Sequence, residues 1–331
     1  MGETIAAAAW VATALGDPTK VLERQTIEVR PPGAGEIRVR VSTFCVNFND
    51  TDIVRGRWTI VPLQPPFVPG MEAMGVVESA GPGCEHLVGR RIVGIPVGAH
   101  GGFAEYAVVD GTSAMLIPDW LNDAGGAALH YPFHLGWFSL VERARLQPGE
   151  TVLVLGATGV LGSLAVQAAR LLGAGWIVAA GRHGAGWRRA AELGADAVVD
   201  LDIGVGGDLV TAFRQAAGGN IDVVIDPIWG EPALAALRAS GPFARHVQIG
   251  NAASPGMTLP GGALRRASAS ILGYSNLMVP IADRVAAYAA MLGHAAAGVM
   301  TAPVELLPLR EVQQAWARQA AFAHRKLVLV P

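Results

Sequence analysis

Thr151-Val152-Leu153-Val154-Leu155-Gly156-Ala157-Thr158-Gly159-Val160-Leu161-Gly162 reads as a buried strand that breaks into a glycine-rich turn and reopens as a helix. The five residues before Gly156 are apolar apart from Thr151, as a strand covered on both faces requires. Leu161, Leu164, Ala165, Ala168, Leu171 and Leu172 then recur at helical spacing. Glycines at 156, 159 and 162 suit a sharp turn, close approach of backbone to a ligand, and tight packing of helix on strand. A helix that opens there aims unsatisfied N–H groups and positive dipole at an anion. With 42 glycines in the chain, the triplet alone says little. Its place between strand and helix makes Gly156, Ala157, Thr158, Gly159, Val160, Leu161 and Gly162 the expected phosphate cradle of a dinucleotide site.

The pattern continues on both sides of this turn. Trp176–Ala180, Val198–Val199, Ile221–Ile225 and Val247–Gly250 read as further strands, and Trp187–Leu193 and Pro232–Ala239 as helices. Such alternation predicts a parallel sheet with helices on both faces. At the end of the second strand, about 20 residues beyond the turn, an acid would hold the ribose 2′-hydroxyl of NAD. Gly181-Arg182-His183 stands there instead, and an arginine forks onto a 2′-phosphate, so the cofactor expected is NADP, as NADPH. Before about residue 118 the chain is different. Ile37–Val41 alternates apolar and basic residues, Gly75–Ser79 and Arg91–Ile95 are short strands, and dense Pro and Gly turns separate them, which points to a compact barrel-like domain. Ile281–Ala297 reads as a long helix and Lys326–Val330 as a last strand.

Bulk properties narrow the class. The 331 residues suggest two domains, and 51% hydrophobic with 16% charged residues gives a large core. A formal net charge of -2 offers nothing to a nucleic acid backbone. Lys20 and Lys326 are the only lysines among 25 basic residues, which reads as compositional bias. Cys45 and Cys84 form neither a CxxC nor a metal cluster. His130 and His134 stand four apart with no acid beside them. Met1–Trp10 lacks the basic start of a signal peptide, and no apolar run reaches the roughly 20 residues a membrane span needs, so a cytoplasmic protein is expected.

Five segments, in order, resemble the zinc-independent quinone oxidoreductases related to zeta-crystallin, within the medium-chain dehydrogenase/reductase superfamily. Cys45-Val46-Asn47-Phe48-Asn49-Asp50 resembles G-V-N-x-x-D, and Pro69-Gly70-Met71-Glu72-Ala73-Met74-Gly75-Val76-Val77 resembles P-G-x-E-x-x-G-x-V. Gly101-Gly102-Phe103-Ala104-Glu105-Tyr106 matches G-G-x-A-E-Y, Leu146–Val154 leads into the phosphate turn, and Asp222-Val223-Val224-Ile225-Asp226 resembles D-V-V-x-D. The resemblance implies an α/β chain in which a Rossmann doubly wound parallel-sheet domain, residues 122–269, is inserted into a GroES-like β-barrel catalytic domain formed by 1–121 and 270–331. It also implies a homodimer. Zinc-dependent relatives bind metal through a Cys and through the His of a G-H-E segment. Asn47 and Met71 hold those places here, and neither suits Zn²⁺, so no metal is expected.

Without a metal to polarise a simple ketone, hydride addition to a quinone or an α,β-unsaturated carbonyl is the easier chemistry. Asn47, Asp52, Trp58 and Tyr131 are the candidates for the catalytic side, Asn47 also for the nicotinamide ribose, and Gly250-Asn251-Ala252 for the nicotinamide half of the cofactor. Many relatives carry a tyrosine where this chain has Asp52, and a threonine where it has Gly136. Two alternatives stay open: a tailoring reductase of a specialised metabolite, and a non-catalytic, crystallin-like NADPH-binding protein.

Overall fold

The structure is a computed structural model that describes residues 3–57, 63–182, 184–202 and 208–330. Trp58 and His183 therefore lie outside the described residues. The chain divides into two compact units: residues 1–131, 280–293 and 302–331, and residues 132–279 with 294–301.

In the first unit, Glu36–Val46 is the central strand. It pairs antiparallel with Ala73–Ala80, Tyr106–Asp110 and Lys326–Val330. Two register shifts, at Arg38/Val39 and Val41/Thr43, mark irregularities that bend such a strand. Arg91–Gly94 adds to Ala73–Ala80, and the bridge Pro96↔Val109 then joins the following residues to Tyr106–Asp110. The strands thus close on themselves, as the turn-rich sequence suggested. Ile37–Val41 is more buried than its alternation implied. Arg38 is only 4% exposed because the strand has neighbours on both edges, and its guanidinium reaches Glu78 Oε2 at 2.9 Å and the Glu3 carbonyl at 2.7 Å. Trp316, on the helix Val312–Ala320, fills the core against Phe103 with ring centroids 5.2 Å apart.

The second unit is a six-stranded sheet, parallel throughout, in the order Ala197–Asp200, Trp176–Gly181, Thr151–Leu155, Val223–Asp226, Arg245–Gln248, Ser270–Gly273. Period-two alternation sends Val152 and Val154 into one apolar layer and Leu153 and Leu155 into the other. Each layer is closed by helices: Val160–Leu171 over the first, Leu209–Ala217 and Glu231–Ala239 over the second. The strand order reverses beside Thr151–Leu155, and ligands bind at such a switch point, outside the carboxyl ends of the strands. Ser270–Gly273 is a member of this sheet, so the sheet runs past residue 269. The helix Asp123–Phe138 begins in one unit and ends in the other, with Pro132 inside it. Among the described residues no helix is long and apolar enough to cross a membrane.

Trp316 is fully buried. Trp316→Ala should lower the unfolding free energy by about 3–5 kcal/mol, read from urea denaturation.

Candidate functional site

The phosphate turn has the geometry its sequence implied. Gly156 sits at φ +63°, a left-handed conformation that favours glycine. Gly159 caps the Val160–Leu171 helix with no side chain of its own to accept from the first-turn N–H groups, an arrangement suited to an anionic ligand. A Cβ on Gly162 would lie 2.3 Å from the Gly156 carbonyl oxygen, and one on Gly181 would lie 2.5 Å from the Thr158 side chain. Gly156, Thr158, Gly159, Val160 and Leu161 remain half-exposed, while Ala157, Gly162 and Gly181 are buried beneath them.

Two other loops meet this turn. A Cβ on Gly156 would touch Ile228, and one on Gly250 would come within 2.6 Å of the Pro227 carbonyl oxygen. The Ala252 N–H donates to the same carbonyl, while Asn251 is exposed. The loop from Pro227 is shaped by Asp226, which in sequence is only the end of the D-V-V-x-D segment, with no site role expected of it. Its Oδ1 accepts from the Ile228 and Trp229 N–H groups at 2.9 and 2.8 Å, and its Oδ2 meets His246 Nε2 at 2.8 Å. Trp229 is held there at φ +61°. Arg182 is exposed at the end of Trp176–Gly181, where the Trp187 indole N–H donates to the Gly181 carbonyl. These loops fit a dinucleotide: a capless helix start for the phosphates, small residues around it, and a guanidinium at the next strand.

The first unit contains a buried polar network. Lys326 opens the strand Lys326–Val330, and the pairing of Leu327 with Val46 sets it beside Asn47. Its ammonium donates to Asn47 Oδ1 at 2.5 Å and to Glu72 Oε1 at 2.6 Å. Asn47 Nδ2 donates to the same Glu72 oxygen at 2.9 Å, and His130 Nδ1 meets Glu72 Oε2 at 2.7 Å. The acid absent from the sequence neighbourhood of His130 is Glu72, 58 residues away. Asn47, expected as a ligand-facing residue, is only 5% exposed, and both ends of its amide are engaged by Glu72 and Lys326. It caps the helix Phe48–Val54. Asp50 is fully buried and stitches two segments, accepting from the Asn47 N–H at 2.8 Å and the Met71 N–H at 2.9 Å.

Among the other candidates, the Tyr131 phenol oxygen accepts from Asn49 Nδ2 at 2.5 Å, and burial pushes its pKa well above the ordinary phenol range. Burial also raises the half-buried Asp52 carboxyl, with Arg57 and Arg55 pulling the other way. Neither Asp52 nor Tyr131 is joined to the Lys326 network by a direct side-chain hydrogen bond; Asn49 and Tyr131 follow Asn47 and His130 in sequence. Among the described residues, no group of three or more His, Cys, Asp or Glu is disposed to hold a metal ion.

The two buried acids differ in sign. Burial pushes Asp50 up to about 6 from 3.8, despite its backbone donors. Burial also works against ionised Glu72, but the Lys326 ammonium and His130 outweigh it and bring the carboxyl down to about 2 from 4.5. Folded Asp50 holds its proton more tightly than the unfolded chain does. Its contribution is therefore present below pH 3.8 and lost as pH rises through about 6. Folded Glu72 holds its proton less tightly, so its contribution is present above pH 4.5 and lost as pH falls through about 2. Urea denaturation at stepped pH should show the first loss flattened in Asp50→Asn and the second in Glu72→Gln. At the phosphate turn, Gly162→Val should abolish dinucleotide binding measured by fluorescence titration, since a side chain there displaces the turn.

The sequence profile of the alcohol dehydrogenase GroES-like domain matches residues 33–119, and that of zinc-binding dehydrogenases matches residues 160–291. Quinone oxidoreductase-like protein 2 of Rattus norvegicus is 30% identical over 264 residues, covering 80% of this chain and 73% of its own length. A mycocerosic acid synthase-like polyketide synthase of Mycobacterium tuberculosis is 31% identical over 70% of this chain, but the chain spans only 11% of that protein. The pikromycin polyketide synthase component PikAII of Streptomyces venezuelae is 33% identical over 69% of this chain, which spans 6% of it. Among solved structures, a probable oxidoreductase of Mycobacterium abscessus superposes with a TM-score of 0.83 and 31% identity, over 99% of each chain. A Pseudomonas syringae quinone oxidoreductase shares the fold, with a TM-score of 0.87 at 24% identity over 98% of this chain and 100% of its own. With both domain profiles matched in order and full-length relatives on either side, the chain belongs to the quinone oxidoreductase group of the medium-chain dehydrogenase/reductase superfamily.

Proposed function

We propose that this protein is an NADPH-dependent oxidoreductase that reduces a conjugated carbonyl, either a quinone or an enone. The observation that carries the reading is the capless helix start at Gly159, with Arg182 rather than an acid at the end of the next strand. A related mycobacterial structure, 24% identical, was determined with NADPH bound. The Val160–Leu171 helix start would hold the pyrophosphate, Arg182 the 2′-phosphate, and Gly250-Asn251-Ala252 the nicotinamide half. The cofactor supplies a hydride when bound. The residues of this chain bind, orient and protonate. Asn49 donates to the Tyr131 oxygen, which leaves the phenol proton for transfer to the substrate enolate and stabilises the phenolate that results. Asp52, with its raised carboxyl, can return a proton from solvent. Trp58, outside the described residues, stays a candidate from the sequence alone.

A second reading, a tailoring reductase of a specialised metabolite, is favoured by the similarity to segments of polyketide synthases. The homodimer and the cytoplasmic location are parts of the same proposal, and size-exclusion chromatography with light scattering decides the first.

NADPH absorbance should fall on addition of 1,4-benzoquinone or a small enone. Preference for an unsaturated acyl thioester over both would favour the tailoring reading, and NADPH binding without turnover on any of them would favour a binding protein. Arg182→Ala should weaken NADPH binding by about 10- to 100-fold with little change for NADH; equal losses for both nucleotides would remove Arg182 from the 2′-phosphate. Tyr131→Phe should lower kcat by about a hundredfold or more.

A further inference from the structure

Four side chains from distant parts of the sequence meet out of water in the first unit: Asn47, Glu72, His130 and Lys326, none more than 5% exposed. Burying an ammonium and a carboxylate is costly unless each finds the other and further hydrogen-bond partners. Here the arrangement does more than satisfy charge. Lys326 holds Asn47 Oδ1 and Glu72 Oε1, and Glu72 holds His130 with its other oxygen. Asn47 is the cap of the helix Phe48–Val54, which carries Asn49 and Asp52. His130 precedes Tyr131 on the helix Asp123–Phe138, whose first turn is tied down separately by Asp123 to Arg91 and Ser42. One cation therefore holds a point on each of two helices, and the side chains one and two positions beyond those points, Tyr131 after His130 and Asn49 after Asn47, are the pair that hydrogen-bond.

We propose that Lys326 is a positioning residue: its buried ammonium, through Asn47 on one side and through Glu72 and His130 on the other, sets the register in which Asn49 donates to the Tyr131 hydroxyl. The catalytic arm of this inference rests on the proposed role of Tyr131 as proton donor; the structural arm does not. The residue type fits the task. A lysine is a compact point charge on a flexible stem, whereas the planar fork of an arginine wants two coplanar acceptors. The chain uses arginine for nearly all its other cations, yet keeps lysine here.

Removing Lys326 alone leaves Glu72 buried without its ammonium, so Lys326→Met by itself does not separate folding from positioning. The pair Lys326→Met with Glu72→Gln removes both charges at similar volume, a change that buried ion pairs commonly tolerate. The chain has four tyrosines, Tyr106, Tyr131, Tyr274 and Tyr288. Protein labelled with 3-fluorotyrosine gives four ¹⁹F resonances, assigned by Tyr→Phe variants. In the folded double variant the Tyr131 resonance should shift or broaden while those of Tyr106 and Tyr274 stay in place. A Tyr131 resonance unmoved in that variant would overturn the proposal whether or not any substrate has been found. With a substrate in hand, the double variant should lose about a hundredfold in kcat, the scale of a small misplacement at a reacting centre, with KM within about threefold. Tyr131→Phe should then cost little more in that background, whereas fully additive losses would mean that Lys326 does not act through Tyr131.

Discussion

A carboxylate cannot be buried alone, and Glu72 is 5% exposed. Most of the organisation of the first unit can be traced to how that requirement is met. The partners come from the first helix after the central strand, from the helix that begins at Asp123, and from the last strand of the chain. The last strand has to return to the sheet for its ammonium to arrive, and it does so by pairing with Glu36–Val46 at the end of that strand which leads into Asn47. The fold's long excursion between residues 131 and 280 is thus closed by an ionic contact as well as by strand pairing. The same contact holds the Glu72 carboxyl far below the ordinary range while its neighbour Asp50, equally buried but facing only backbone donors, is driven up. Two acids linked through Asn47, one by its backbone N–H and the other by its side-chain amide, are kept in opposite states by what surrounds them, as burial without a counter-ion and burial with one demand.

The second unit solves a different problem. Its sheet is apolar on both faces, so the polar ends of its strands are the one place where ligand chemistry can be built. Three loops gather there, and each is shaped by a local device. A left-handed glycine bends the first, a buried aspartate gathers the N–H groups of the second, and a glycine pressed against the Pro227 carbonyl forms the third. The Asp226–His246 pair beneath the second loop is fully buried, which ties the loop to the sheet rather than to solvent.

The second unit was the more legible in the sequence, because its determinants are local. Val152–Leu155 and Trp176–Ala180 announce themselves by composition, and the glycine spacing by contact with its own neighbours. Propensity failed where pairing decided the outcome. Five of the eight residues of Ile5–Ala12 are alanine, which favours helix in isolation, yet it is a strand because Leu22–Val29 lies antiparallel beside it in full register. Ser270–Gly273 is too short and too exposed to show a pattern, and only the parallel neighbour Arg245–Gln248 makes it the sixth strand. The polar network was illegible for the same reason on a larger scale. Its contacts to Lys326 and His130 join residues separated by 58, 254 and 279 positions, distances at which no spacing rule operates. Lys326 did stand out as one of two lysines, but rarity in composition carries no address.

Asn47 shows how a residue that opens a helix in a surface-like motif can be tied into the interior. An asparagine at the start of a helix, in a segment shared with enzymes, invites a role at the ligand. Its side chain instead spends one polar atom on a carboxylate and the other on an ammonium, and is left 5% exposed. An amide is suited to that place because its donor and its acceptor are separate atoms, so one end donates to the carboxylate while the other accepts from the ammonium. A carboxylate there would repel Glu72, and a hydroxyl could not span both. The residue that the sequence offered as a contact to substrate or nicotinamide ribose is, physically, the neutral link that lets a cation and an anion share a site in the interior.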